Sequence, residues 1–225
     1  AARAIRAGDG EVYIAGGVES MSRAPYAFSK NTGGGNLIAY DTALGWRFVN
    51  PRMEALYGTD PMGVTAENIA EMTGITRLEQ DEFALASHQR AVAAQDSGKF
   101  AEEILPISIP QRKGDPVVIS QDERPRRDTS LEALSRLKPA FKPNGTVTAG
   151  NSSGLNDGAA ALLVMSAEKA RILGLKPMAR FISSGVSGIE PRIMGLGPIE
   201  ATRRALAHAG LQIGDISLAE INEAF

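Results

Sequence analysis

Apolar and polar positions alternate between two periods along this chain, and the switches mark the elements. Ala1, Ala4, Ile5 and Ala7 share one helical face, and the helix closes at Gly8 or Gly10. No Ser, Thr, Asp or Asn precedes that face, so the element is expected to start before residue 1. VYIAGG, within 11–17, is a short apolar run ended by two glycines and reads as a buried strand. From Phe28 to Gly58 the pattern lapses into a long loop carrying NTGGGN and the lone Trp46. A connection of that length is usually a binding loop, a lid or an assembly arm.

Helical spacing returns at Thr65, where TAENIAEM has an imperfect capping box. The next start is cleaner. Thr76 caps RLEQDEFALASHQRAVAAQDSGK with Glu79 three residues on; Phe83, Leu85, Ala86, Ala91, Val92 and Ala94 line the helix, and Gly98 ends it. ILPISIP and DPVVIS, joined by QRKG, predict a hairpin. DERPRRDTSLEALSRL is a charged turn leading into a short helix. Small residues fill 148–161, as where backbone packs on backbone or ligand. ALLVM then reads as a buried strand, Ser166 as the cap of a helix ending at Gly174, MARFISSGVSG as another strand, and Pro198 to Gly210 as a helix with proline in its first turn. LAEINEAF reads as the last strand. Strands alternating with helices give an α/β layered core with a subdomain inserted at about 28–145.

Composition narrows the chemistry. The chain has 225 residues, 43% hydrophobic and 22% charged, with net charge −2. That suits a globular protein and gives no long-range field for nucleic acid or anionic membrane. No apolar run reaches the roughly 20 residues of a membrane span. No secretory leader pattern opens the chain, and the expected location is the cytoplasm. There is no cysteine, hence no disulfide, thiolate metal site or thiol nucleophile among these residues. His88 is expected to be an ordinary helix residue, and His208 to serve the carboxyl end of its helix. Arg124, Arg126 and Arg127 form a solvated face by composition, or a phosphate contact by their planar donor fork.

GGVESMSRAPY, TAENIAE, QDEFALASHQRA, KPAFKPNGTVTAGNSSGLNDGAAALLVMS, MGLGP and NEAF occur together and in the order found in thiolases, the acetyl-CoA acyltransferases. The chain resembles that family over essentially all 225 residues, and GWRFVNPRM resembles the degradative and 3-oxoadipyl-CoA-type members more than the acetoacetyl-CoA biosynthetic ones. The resemblance implies an α/β thiolase-like layered αβαβα fold, incomplete here. Residues 1–27 would be part of an N-terminal half, 28–145 an inserted loop domain with an assembly arm, 146–176 the end of that half, and 177–225 the start of a truncated C-terminal half. It implies a homodimer or homotetramer acting on acyl-CoA, with coenzyme A and acetyl-CoA as substrates and no covalent cofactor, metal, nucleic acid or membrane partner. The reaction would be 3-oxoacyl-CoA thiolysis, or the reverse Claisen condensation, through a cysteine thioester.

In the family the nucleophilic cysteine, a catalytic histidine segment and an acid/base cysteine lie outside the stretch matched here, so these residues alone are expected to be inactive and to fold poorly. Asn222 matches an asparagine that fixes a water in an oxyanion hole, and Glu223 a residue orienting it. Ser153 matches a contact to the pantetheine arm; Ala149, Phe141 and Phe225 match its channel; Met62 and Met194 match methionines near the acyl end; Arg126 matches an arginine near the nucleotide. Pro61 stands where many biosynthetic members have histidine, and Ala133 where some have a serine near the nucleotide. Without the resemblance, Asn222 would simply end a strand, and each methionine would be an ordinary core residue. A thiolase-like protein that holds acyl-CoA without chemistry is the competing reading, favoured by the absence of cysteine.

Overall fold

In a computed structural model, which describes residues 1–30 and 34–225, the elements follow in this order: α1 (Ala2–Ala7), β1 (Val12–Glu19), β2 (Tyr26–Ala27), β3 (Tyr40–Asp41), α2 (Pro51–Tyr57), α3 (Met62–Thr73), α4 (Arg77–Asp96), β4 (Ile107–Ile109), β5 (Val117–Ile119), α5 (Leu131–Ser135), β6 (Gly158–Met165), α6 (Ala167–Ile172) and α7 (Gly197–Ala209). The chain divides into two units, residues 1–62 with 155–221, and residues 63–154 with 222–225. The first half of NTGGGN, residues 31–33, and with it part of the expected assembly arm, lies outside the described residues.

The first unit is built on an antiparallel ribbon, β1 against β6, in register from Val12 opposite Met165 to Glu19 opposite Gly158. Gly16 is required here, because a Cβ on it would overlap the Ala160 carbonyl and Ala161 Cα. The two runs expected to be buried strands do pair, but they are not buried: Ile14 is 80% and Val18 81% exposed. Their apolar side chains have no covering layer among the described residues.

MARFISSGVSG was expected to be a strand and has no ladder partner among the described residues. Its carbonyls are taken by side chains instead. Arg6 of α1 donates to the Ile182 carbonyl at 2.7 Å, with its guanidinium 5.3 Å over the Phe181 ring. From α7, Arg204 donates to the Val186 carbonyl at 2.9 Å, and His208 Nδ1 lies 3.0 Å from the Ser184 carbonyl. Because that oxygen can only accept, Nδ1 carries the proton. Ser183 in turn donates to the Ala205 carbonyl at 2.7 Å. Gly185 lies so close to the Ala201 carbonyl that no side chain fits there. LAEINEAF likewise forms no ladder among the described residues, and Leu218 and Ile221 stand exposed. In both segments apolar alternation is present without the neighbouring strand that a ladder needs.

Two features of 28–58 are ordered where a loop was expected. Tyr26–Ala27 pairs with Tyr40–Asp41. Asn50 caps α2, its side chain accepting from the Arg52 N–H at 2.9 Å, with Pro51 at the first helical position. Helix α3 starts at Met62 rather than Thr65, directly after Pro61, which leaves Thr65 buried inside the helix.

Asp157, just before β6, holds the 3-10 turn Met21–Arg23. Its carboxylate accepts from the Ser22 N–H at 2.8 Å and from the Ser22 and Ser20 hydroxyls. The Ser22 hydroxyl and amide hold the Asp157 carboxyl below its ordinary value of 3.8. A depressed carboxylate contributes stability above its unfolded pKa and loses it as pH falls through the folded one. Melting temperature followed below pH 3.8 should therefore fall less steeply in Asp157→Asn than in the parent sequence. Parallel acid profiles would show that this cluster contributes nothing.

The second unit is anchored by α4. Thr76 and Glu79 form the expected reciprocal capping box, and Gly98 takes φ 74 just past the C-cap Ser97. Glu79 is held below its ordinary range by the Thr76 amide and hydroxyl. The hairpin β4–β5 forms as expected, in register from Ile107 opposite Ile119. The apolar side of α4 is only half-buried, and its one fully buried residue is Asp81.

Candidate functional site

The loop TVTAGNSSG, 146–154, buries the Val147 side chain, and its polar groups are held by charge. Its polar side chains carry hydrogen-bonding groups and little apolar surface, so two helices meet it with carboxylates. On α3, Gly63, Glu67 and Ala70 share a buried face at helical spacing. Glu67, 2% exposed, accepts from the Thr146 N–H at 2.8 and 2.9 Å, the Val147 N–H at 2.8 Å and the Thr146 hydroxyl at 3.0 Å. On α4, Asp81, also 2% exposed, accepts from Arg77 Nε at 2.8 Å and from Asn151 Nδ2 at 3.0 Å. Arg77 also donates to the carbonyls of Leu134 and Leu137.

Asn151 completes the arrangement, its Oδ1 accepting from the Thr148 N–H at 2.7 Å while its amide also donates to the Thr146 carbonyl at 3.0 Å. Thr148 is fully buried, and its hydroxyl accepts from the Gly150 N–H at 3.1 Å. No buried side-chain polar atom among the described residues lacks a partner. That completeness is what makes a charged interior tolerable. Gly145 must be glycine, since a Cβ would overlap the Glu67 carboxylate. Asn144 beside it takes φ 59, a left-handed conformation that asparagine tolerates.

This scaffold places several residues singled out in the sequence. Ala149 stands exposed between the buried Thr148 and the half-buried Gly150. The Ser153 N–H donates to the Ala224 carbonyl at 3.0 Å, tying NEAF to the loop. Phe225 meets Phe141 edge to face, 5.7 Å between centroids at 85°, and Phe141 lies tight against Gly63. Glu223 accepts from the Ser87 hydroxyl of α4 at 2.7 Å. Asn222 is exposed, with no hydrogen bond among the described residues. Phe141, Ser153, Glu223 and Phe225 are thus brought together.

Arg126 sits apart, at an open cleft of about 240 Å³ lined by Gln89, Val92, Asp96, Arg127 and Thr129 among others. Its N–H donates to His88 Nδ1 at 3.1 Å, which gives His88 a structural role. Arg127 pairs with Asp96 at 2.7 Å and holds that carboxyl below its ordinary range.

Met62 and Met194 belong to the first unit. They lie on segments joined by an ion pair, Arg192 Nε to Asp60 at 3.0 Å. Both side chains are substantially exposed, so neither is a core methionine here. No group of three or more His, Cys, Asp or Glu among the described residues could hold a metal, and no helix is long and apolar enough to cross a membrane.

Sequence reasoning missed Glu67, Asp81, Thr148, Asn151 and Ser87. For Glu67 the signal was present: a carboxylate flanked at i−4 and i+3 by Gly63 and Ala70, small residues that let a helix approach a backbone. For Asp81 it was the i, i+4 pairing with Arg77.

Comparison with known proteins agrees across the chain. The family model described as thiolase, N-terminal domain, matches residues 1–168, and that described as thiolase, C-terminal domain, matches 175–225. A beta-ketoadipyl-CoA thiolase of Acinetobacter baylyi is 54% identical over all of this chain and 57% of its own length. A 3-oxoadipyl-CoA/3-oxo-5,6-dehydrosuberyl-CoA thiolase of Escherichia coli K12 is 53% identical over the same shares. The crystal structure of the Bacillus anthracis acetyl-CoA acetyltransferase superposes with a TM-score of 0.85 at 45% identity, over 99% of this chain and 55% of that one. The chain therefore spans a little over half the length of the relatives it matches.

Proposed function

Given that this chain belongs to the thiolase family and has its α/β fold, we propose that it is part of an acyltransferase. The enzyme moves an acyl group between coenzyme A and acetyl-CoA, by thiolysis of a 3-oxoacyl-CoA or by the reverse condensation. The observation that carries this reading is the joining of NEAF to the TVTAGNSSG loop, Ser153 to Ala224, with Phe141 and Phe225 beside it. Phe141, Ala149, Ser153 and Phe225 then meet the pantetheine arm, and Arg126 the nucleotide. Met62 and Met194 shape the acyl end.

Thiolysis needs a thiolate that takes the acyl group as a thioester, an acid/base group at the α-carbon, and donors where negative charge develops on the thioester oxygen. Asn222 supplies the last through a water, its amide being neutral and both donor and acceptor. Glu223, held by Ser87, orients that end of the chain. The thiolate and acid/base group come from cysteines of the full-length protein, since these 225 residues contain none. Residues 28–145 form the loop domain, between 1–27 and 146–176 of one half, with 177–225 beginning the other. The enzyme is a cytoplasmic homodimer or homotetramer.

Similarity to two thiolases whose names share the 3-oxoadipyl (beta-ketoadipyl) group, one of them named also for a dehydrosuberyl substrate, supports 3-oxoadipyl-CoA as the preferred acyl donor. The full-length protein should cleave 3-oxoadipyl-CoA with kcat/KM at least about ten-fold above acetoacetyl-CoA. Equal use of both would refute the dicarboxylate preference. Binding of CoA without turnover of any 3-oxoacyl-CoA would favour the second reading, an acyl-CoA-holding protein without chemistry, which the absence of cysteine supports.

A further inference from the structure

The two carboxylates buried beneath the TVTAGNSSG loop have no part in the mechanism above, yet they are among the most completely enclosed side chains described. Glu67 receives two backbone N–H groups and one hydroxyl, all from Thr146 and Val147, and among the described residues it is paired with no cation. Asp81 is reached by the loop through Asn151, whose amide spans from Asp81 to the Thr146 carbonyl. The loop is thus gripped at 146–147 by one helix and at 151 by the next. The residues between and just beyond, Ala149 and Ser153, are left exposed.

We propose that Glu67 and Asp81 are positioning residues for coenzyme A. Their charge fixes the loop in the one conformation that presents Ala149 and Ser153, so affinity for CoA depends on a pair of side chains that never touch it. This rests on the reading of the loop as a pantetheine contact. Charge is needed because a carboxylate accepts from several N–H groups at once, whereas an amide of the same shape turns a donor toward one of them. Apolar packing alone, such as that of Val147, would tolerate sliding; directional bonds at both ends of the loop do not.

The test uses the full-length protein with Glu67→Gln and Thr146→Val. Thr146→Val removes only the hydroxyl shared by Glu67 and Gln80, and so keeps a milder, foldable variant in hand. For Glu67→Gln, the KM for CoA in thiolysis should rise about ten-fold with kcat within about two-fold, a loss of uniform binding. Thr146→Val should raise it about three-fold. Amide exchange at 147–153 should accelerate in both.

An unchanged KM in a folded variant, or in Thr146→Val alone if Glu67→Gln does not fold, overturns the proposal. Unchanged amide protection does the same. If the unsubstituted protein neither binds nor uses CoA, the functional reading falls and takes the substrate role with it. Faster amide exchange in the variants would then still show the grip on the loop.

Discussion

Gly63→Ala should lower stability by about 1–3 kcal/mol, although alanine is the better helix former. Gly63 lies in the first turn of α3, fully buried, with the Phe141 ring against its Cα. In an open helix the substitution would gain about 1 kcal/mol. Here the new methyl overlaps three atoms of the Phe141 ring, so ring or helix must move. Phe141 cannot yield freely, because Phe225 packs on it edge to face. Overpacking of this kind outweighs the propensity gain. Urea unfolding of the full-length variant should show a lower midpoint with an unchanged slope. A midpoint at or above that of the parent sequence would mean the ring has room that its position here does not indicate.

Asn222→Ala should separate activity from stability in the opposite way. Its side chain is exposed and makes no hydrogen bond among the described residues, so truncation removes nothing that holds the fold. If its amide fixes the water that stabilises the thioester oxyanion, kcat should fall by about 10²–10³. Melting temperature and the KM for CoA should barely move. A drop in melting temperature with kcat intact would return Asn222 to the role of a residue that merely ends a segment. Glu223→Gln is the useful companion, because the Ser87 hydroxyl can still donate to the amide oxygen and a near-normal kcat is expected.

How far the sequence reached depends on whether an element is signalled locally. The helices were legible because their ends carry their own chemistry: Thr76 with Glu79, Ser166 before α6, Pro198 and Gly210 around α7. The β4–β5 hairpin was legible for the same reason. Strands were not, wherever they depend on a distant neighbour. The alternation in 178–188 and 218–225 promises a ladder, but side chains of α1 and α7 meet the first segment and Ser87 and Ser153 meet the end of the second. The loop residues of the candidate site were recognisable through the family's motifs. The carboxylates that hold them were not, because an acidic residue on a helix is usually a solvated one, and only the partner 79 residues away shows that Glu67 is not.

The β1–β6 ribbon also sets the order of events along the chain. Glu19 and Gly158 pair directly, so about 140 residues must be looped before the first rung can form. Compared with the β4–β5 hairpin, whose connection is about seven residues, this closure carries an extra entropic penalty of roughly 3 kcal/mol. Locally paired pieces, the capped helices and the short hairpin, thus gain structure without that delay, and the ribbon is a late step whose rate falls as the intervening chain grows looser. Any substitution that slackens the 63–154 unit then acts twice: once on the loop that unit holds, and again on how soon the two halves of the ribbon find each other.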